Sequence, residues 1–256
     1  MAKPSSAELS SIPHYFINSH SITEEITAAD FEAYALGTVD EIFREKDIVV
    51  MVGGTGLYLR AFTEGLDEIP SVDPAVRKTV LAGYAEGGID WLQKEMQQHD
   101  PIYSTGGEIQ NPQRMMRALE VAISTGRSIL DFRTRQKKDR PFKILKIGLE
   151  LPRPELYQRI NNRVDKMMEA GLLAEATSLL PHKKLTALQT VGYRELFDYL
   201  EGATSQDRAI ELIKQNSRHY AKRQLTWFKK DPEIKWIDMG DPAAAVDLIV
   251  GEIGNR

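Results

Sequence analysis

Oxyanion chemistry is what the most informative residues of this chain could perform. Val49-Val50-Met51-Val52 is an apolar run that meets Gly53-Gly54-Thr55-Gly56-Leu57-Tyr58, so that a strand feeds a glycine-rich turn and then a helix. At the carboxyl end of a strand in an open α/β sheet, helix N-termini and bare backbone amides converge, and glycine lets a ligand approach the backbone closely. The run is not a Walker A loop, because the spacing and the terminal Lys-Ser/Thr are absent. A tight strand-to-helix turn with no ligand is the plainer reading.

Three further constellations carry positive charge. Asn111-Pro112-Gln113-Arg114-Met115-Met116-Arg117 places Arg114 and Arg117 three apart on one helix face, near the positive end of the helix dipole. Two guanidiniums there cost stability unless an anion is nearby, although Glu120, three residues beyond Arg117, could serve as an internal partner. Gln189-Thr190-Val191-Gly192-Tyr193-Arg194-Glu195 interrupts a helical region and presents an Arg, whose planar fork suits a diphosphate. Ser217 to Lys229 sets Arg218, Lys222 and Lys229 roughly on one face, with Leu225 and Phe228 on another, as a helix docked on a sugar–phosphate backbone requires. The five histidines show no metal-ligand pairing, so no protein-held metal site is expected. The lack of any cysteine excludes disulfides, thiolate nucleophiles and cysteine-held zinc or iron–sulfur centres.

The net charge of −4 hides an asymmetry. Residues 1–110 carry 7 Lys/Arg and 18 Asp/Glu, whereas residues 111–256 carry 26 and 19, so the acidic part precedes a basic one. Arg127 to Lys146 holds eight basic residues against Asp131 and Asp139, and Lys214 to Lys230 holds six and no acid. Each run alone reads as a solvated surface. Two of them, interleaved with Phe132, His219, Tyr220, Trp227 and Phe228, point to a polyanion partner. No stretch is long and apolar enough for a membrane span, and Met1 to Ser11 lacks the layout of a signal peptide, so the expected location is cytoplasmic.

The elements that must position these groups follow from periodicity. Strands are expected at Asp47 to Val52, Phe142 to Leu151 and Ile234 to Met239. Helices are expected at Asp30 to Glu45, Pro74 to Leu81, Ile89 to Gln98, Asn111 to Thr125, Pro154 to Ala170, Leu172 to Leu180, Leu185 to Tyr199 and Ser205 to Lys229. Strands separated by helical crossovers imply a parallel sheet. The stretch from about Ser71 to Lys137 has no strand and reads as a helical insertion. The polar, turn-rich start Ala2 to Ser11 is unlike the opening strand that such a domain should have.

Together these residues resemble the tRNA dimethylallyltransferase (tRNA isopentenyltransferase) family. The matching pieces run in family order: Ala2-Lys3-Pro4 with Pro13-His14, Ala29-Asp30-Phe31, Val52 to Tyr58, Asp73-Pro74, Asn111 to Arg114, Arg117 to Val121, Val191 to Arg194, and Ala221 to Trp227. The resemblance implies an α/β fold, a P-loop-kinase-like parallel sheet with helices on both faces, whose N-terminal strands are missing. The core would be residues 1–72 with 138–256, and 73–137 an all-helical insertion contacting the anticodon arm. The implied reaction moves a dimethylallyl group from dimethylallyl diphosphate, with Mg²⁺, to N6 of the adenosine beside the anticodon. Arg194 would hold the diphosphate and Thr55 would act at the reacting base beside Gly53, Gly54 and Gly56. Thr55, Arg77, Gln113, Arg114, Arg117, Gln189, Gly192, Tyr193, Arg194, Lys222, Arg223, Gln224, Thr226, Trp227 and Lys229 would contact the tRNA anticodon stem-loop, in a monomer. Glu195 stands where Gln is expected in many relatives. The family's P-loop and general-base Asp precede Ala-Lys-Pro, so the alternative expectation is a non-catalytic tRNA-binding fragment.

Overall fold

The computed structural model describes residues 3–134 and 136–254; Ala2 of the first matching piece and Arg135 of the basic run lie outside the described residues. The helices and strands follow one another as α1 (Ser6–Ser11), α2 (Ala28–Ile42), α3 (Gly56–Glu64), α4 (Pro74–His99), α5 (Pro101–Gly106), α6 (Pro112–Thr125), β1 (Ile147–Glu150), α7 (Arg153–Glu169), α8 (Leu172–Leu179), α9 (Tyr193–Leu200), α10 (Gln206–Phe228), β2 (Lys235–Asp238) and α11 (Pro242–Gly254). The protein is α/β, mostly helical, with a small parallel sheet. It divides into two compact units, Met1–Thr63 with Arg140–Arg256, and Glu64–Asp139.

In the first unit β1 and β2 pair in parallel, with Ile147 opposite Lys235 and Glu150 opposite Asp238. Gly148 lies opposite Trp236, and a Cβ there would come within 2.7 Å of the indole ring, so the glycine makes room for it. The main core lies among α7, α8, α9 and α10, around Val164, Leu172, Ala176, Leu196, Phe197, Ala209 and Ile213. A smaller core joins Ala35 and Val39 of α2 to Phe62 of α3, with Phe142 against them. Arg140 fastens this second core. Its guanidinium, only 9% exposed, donates to Glu32 Oε1 at 2.7 Å and to the carbonyls of Ala61 and Phe62 at 2.8 Å. It therefore satisfies orphan carbonyls at the end of α3 while neutralising a half-buried carboxylate on α2.

Three expectations for this unit change, the first being Leu185 to Tyr199, which is a 3₁₀ turn at Thr186–Leu188 and then α9 from Tyr193, because Gly192 takes a positive φ that no helix continues through. Asp47 to Val52 is not a strand: it pairs with no other strand among the described residues, and Val50 and Val52 are 78% and 90% exposed. β-branched composition suits a pleated surface, but only ladder hydrogen bonds make a strand. The polar start, in turn, holds the short helix α1, where Ser5 and Glu8 form a reciprocal capping box.

The second unit is helical throughout its regular elements, and α4 packs on α6. Met115, Ala118, Leu119 and Ala122 recur at helical spacing on α6 and are buried, and the first three cluster with Val80, Leu92 and Met96 of α4 and Tyr103 of α5. The two helices expected within 74–98 appear as one element broken at Gly88, whose φ of 62° and ψ of −153° are open to glycine and hardly to any other residue.

Arg140→Met should lower the unfolding free energy measured in urea by about 3 kcal/mol, since it strands Glu32 and two carbonyls together. A loss under about 1 kcal/mol would contradict the fastening role.

Candidate active site and nucleic-acid surface

α10 builds most of the site in the first unit, and its sequence gives each face a different task. Ser205 caps its start by accepting from the Arg208 amide, and Ala209 and Ile213 bury one stripe. Farther along, Gln224 Nε2 donates to the Gly54 carbonyl at 2.9 Å, and the Trp227 indole lies over Gly56. A Cβ at Gly54 would fall 1.8 Å from Gln224 Nε2, and one at Gly56 2.3 Å from Trp227 Nε1. Gly56 is thus required by the rigid ring that lies on it, whereas at Gly54 the near atoms are the end of the flexible Gln224 side chain, which could swing aside at the cost of its bond to the Gly54 carbonyl. Gly53 is different, since its nearest neighbour would be a Leu59 methyl at an ordinary 3.7 Å. Thr55 remains exposed between the two pinned glycines, and its carbonyl accepts from the Tyr58 and Leu59 amides as α3 begins.

On the same helix His219, Lys222, Arg223, Thr226 and Trp227, with Lys230 just past its end, line one open groove. Their spacing of three and four residues keeps them on one side. Lys222 and Lys230 form no ion pair among the described residues, and the Arg223 guanidinium lies 5.7 Å from the centre of the Tyr220 ring. Tyr220 and Trp227 are 43% and 41% exposed, so cations and aromatic faces alternate at the surface. Other basic groups are committed elsewhere: Arg218 donates to Asn161 of α7 at 2.7 Å, and Lys229 pairs with Glu150 of β1 at 3.0 Å. The Thr226 hydroxyl is also taken, donating to the Lys222 carbonyl.

The turn before α9 places its residues unequally. Gly192 is buried, with φ of 105°, and Gln189 donates to the Lys183 carbonyl. Tyr193 stacks on Phe197 and donates to Glu175 of α8 at 3.2 Å; burial first, and then the Glu175 carboxylate, push its phenol above the ordinary pKa, so it stays a donor. Glu195, 5% exposed, accepts from the Gly192 amide at 2.8 Å and from Asn216 of α10 at 2.7 Å. Only Arg194 of this stretch presents an exposed charged group, and it has no ion pair among the described residues.

In the second unit Arg77 and Gln113 are exposed. Arg114 pairs with Glu108, and Arg117 with Glu120 at 3.6 Å, so the dipole cost that favoured an external anion is met by internal carboxylates. The basic run from Arg127 is similarly occupied. Arg127 meets Asp131 and the Phe132 ring, Lys137 meets Glu64, and in the first unit Lys146 meets Asp231 and Glu233. Sequence reasoning passed over Asn216 and Arg140, which carry no motif; only their long-range partners reveal them. Among the described residues no three His, Asp or Glu side chains converge to hold a metal, and no helix is long and apolar enough to cross a membrane.

The chain is similar to known proteins along most of its length. The IPP transferase family model matches residues 1–231. The tRNA dimethylallyltransferase of Christiangramia forsetii is 47% identical over 240 residues, 94% of this chain and 80% of that protein. The tRNA dimethylallyltransferase 1 of Bacteroides fragilis is 45% identical over 235 residues, 92% and 78%. Among solved structures, the tRNA isopentenylpyrophosphate transferase of Bacillus halodurans aligns with a TM-score of 0.68 at 33% identity, over 99% of this chain and 81% of that one. A eukaryotic dimethylallyltransferase acting on tRNA aligns with a TM-score of 0.77 at 25% identity, over 99% and 69%.

Gly56→Ala should cost about 1 to 3 kcal/mol of stability, because the rigid indole of Trp227 must move. Gly53→Ala should stay within about 0.5 kcal/mol. Equal losses in chemical denaturation would show that α10 does not impose the glycine.

Proposed function

The chain belongs to the IPP transferase family, and we propose that Arg194 and the Thr55 turn serve its chemistry while the α10 groove grips the RNA. The protein is a prenyltransferase of tRNA modification and uses dimethylallyl diphosphate. The observation that carries the residue assignment is that a single helix, α10, is bonded both to the turn holding Thr55 and to the helix holding Arg194, and also bears the exposed cations.

In the transfer, the exocyclic N6 of the adenosine beside the anticodon attacks C1 of the dimethylallyl group. The C1–O bond breaks, diphosphate departs, and N6 loses a proton. An exocyclic amine is a weak nucleophile, so alignment and stabilisation of the leaving diphosphate matter most. Arg194 offers a planar pair of donors to two phosphate oxygens. Thr55, held between two pinned glycines, is the contact to the reacting adenosine, which must leave its stack to reach the donor. Lys222, Arg223, Lys230 and the face of Trp227 meet the phosphates and bases of the anticodon stem-loop. Lys229 supports that surface through Glu150, and Gln224 supports the turn. Arg77 and Gln113 are exposed for RNA contact in the helical unit, whereas Arg114 and Arg117 would have to exchange their carboxylates for phosphates. Gln189, Gly192 and Tyr193 shape the base of Arg194. Mg²⁺ would neutralise the diphosphate in this reading, but the described side chains supply no carboxylate cage for it.

Replacing Lys222 and Arg223 together with Ala should weaken stem-loop binding and reduce the slope of log K against log salt by about 1 to 2. An unchanged slope would remove the groove from the interface. Arg194→Ala should lower transfer of labelled dimethylallyl to the stem-loop by about 10² to 10³. A rate equal to that of the unaltered chain would displace Arg194 from the diphosphate.

A further inference from the structure

One buried carboxylate has no part in the transfer as described. Glu195 directly follows the exposed Arg194, in a site 5% open to solvent, and no cation neutralises it among the described residues. Burying a carboxylate without a counter-ion is costly unless its oxygens are filled by donors. Both are filled here: Oε2 accepts from the Gly192 amide at 2.8 Å, and Oε1 accepts from Asn216 Nδ2 at 2.7 Å. The amino end of α9 adds the favourable pole of the helix dipole.

The two bonds act on different parts of the molecule. The first is a capping bond that holds Gly192 at φ 105°, ψ −58°, a conformation open to glycine. The second comes from α10, eight residues before Gln224, or about 12 Å along the helix axis. On the other side of Arg194, Tyr193 is anchored to Glu175 of α8 at 3.2 Å. The residues flanking Arg194 are therefore both turned inward and bonded to separate helices, and Arg194 between them is exposed. Its backbone direction is fixed before any anion arrives, so binding must order only the side chain.

We propose that Glu195 and Asn216 are positioning residues for Arg194: the buried carboxylate, tied at once to the Gly192 turn and to α10, sets where the diphosphate is received relative to the Thr55 turn. The proposal rests on Arg194 receiving the diphosphate. Asn216 is half-buried, and its amide is matched to an acceptor. A Gln at 195 keeps the acceptor for Gly192, and Asn216 can rotate its amide to accept from the new NH₂ group.

The test measures inorganic diphosphate and an anticodon stem-loop binding separately to the unaltered chain and to R194A, E195A, E195Q and N216A, by calorimetry. R194A should lose about tenfold or more in diphosphate affinity, the worth of one charge-assisted hydrogen-bonding group. E195A and N216A should lose about tenfold while keeping stem-loop affinity, and E195Q should be restored to within about threefold of the unaltered chain. If E195A binds diphosphate as the unaltered chain does while R194A does not, the positioning role is wrong and the Arg194 assignment stands. If R194A binds normally, or the unaltered chain does not bind diphosphate, both fall. A parallel loss of stem-loop affinity in E195A would mean general damage and count against positioning. Should E195A fail to fold, N216A, the milder change, decides the matter by the same two affinities.

Discussion

The structure of the first unit depends on α10 more than on its sheet. Five side chains along this helix reach five different partners: Asn216 to Glu195, Arg218 to Asn161, Gln224 to Gly54, Trp227 to Gly56 and Lys229 to Glu150. Its buried stripe, Ala209 and Ile213, is spent at the amino-terminal end. In the carboxyl-terminal half Ala221, Leu225 and Phe228 are only partly buried, and polar contacts and the Trp227 ring add directional links. Polar contacts are directional, so they fix the rotation of the helix about its axis, which apolar packing alone leaves tolerant. That rotation decides which cations face solvent. Arg218 is turned to Asn161 and Lys229, though exposed, is engaged by Glu150, while His219, Lys222, Arg223 and Lys230 are left on the open side.

Net positive charge in the sequence consequently says less than its pairing. The run from Arg127 to Lys146 is the denser of the two, yet Arg127, Lys137, Arg140 and Lys146 each meet a carboxylate close by. The run from Lys214 to Lys230 has no acidic residue of its own, so several of its cations go without. Of those four only Arg127 uses an acid of its own run, and Lys214 and Lys229 of the second run also find carboxylates, Asp165 and Glu150, outside it, so local acid content alone does not separate an available basic surface from a neutralised one. What was not visible was the reach of distant carboxylates. Glu32 and Arg140 are 108 positions apart, and no periodicity links them.

Helices with local end signals were the legible part of the fold. Asn111 with Pro112, Ser205, and Gly171 each mark a boundary where the structure has one, because caps are decided by hydrogen bonds within a few residues. Asp47 to Val52 failed for the opposite reason: strand identity belongs to the pair, and composition reports only one side of it. The span Leu185 to Tyr199 was read as one helix, and Gly192, at positive φ, starts α9 instead, after a 3₁₀ turn over Thr186–Leu188. The glycine turn was legible as a special site but for half the reason. Ligand approach was the expected cause, whereas at Gly54 and Gly56 the approaching group is α10 itself.

An open groove cannot by itself exclude water from a reacting centre, and low dielectric is what makes fixed charges effective there. The α10 groove is shallow, and Thr55 and Arg194 are both exposed. In the proposed arrangement, a stem-loop laid on the groove and a flipped adenosine over the prenyl donor would themselves displace water from the reacting groups. A protein surface that relies on its substrate to close the site gains from having its own groups fixed beforehand, since binding energy is then not spent on arranging them. The contacts from Asn216 to Trp227 do that work along a single rigid element. They join the turn that bears Thr55, the turn that bears Arg194 and the cations between them in one fixed register.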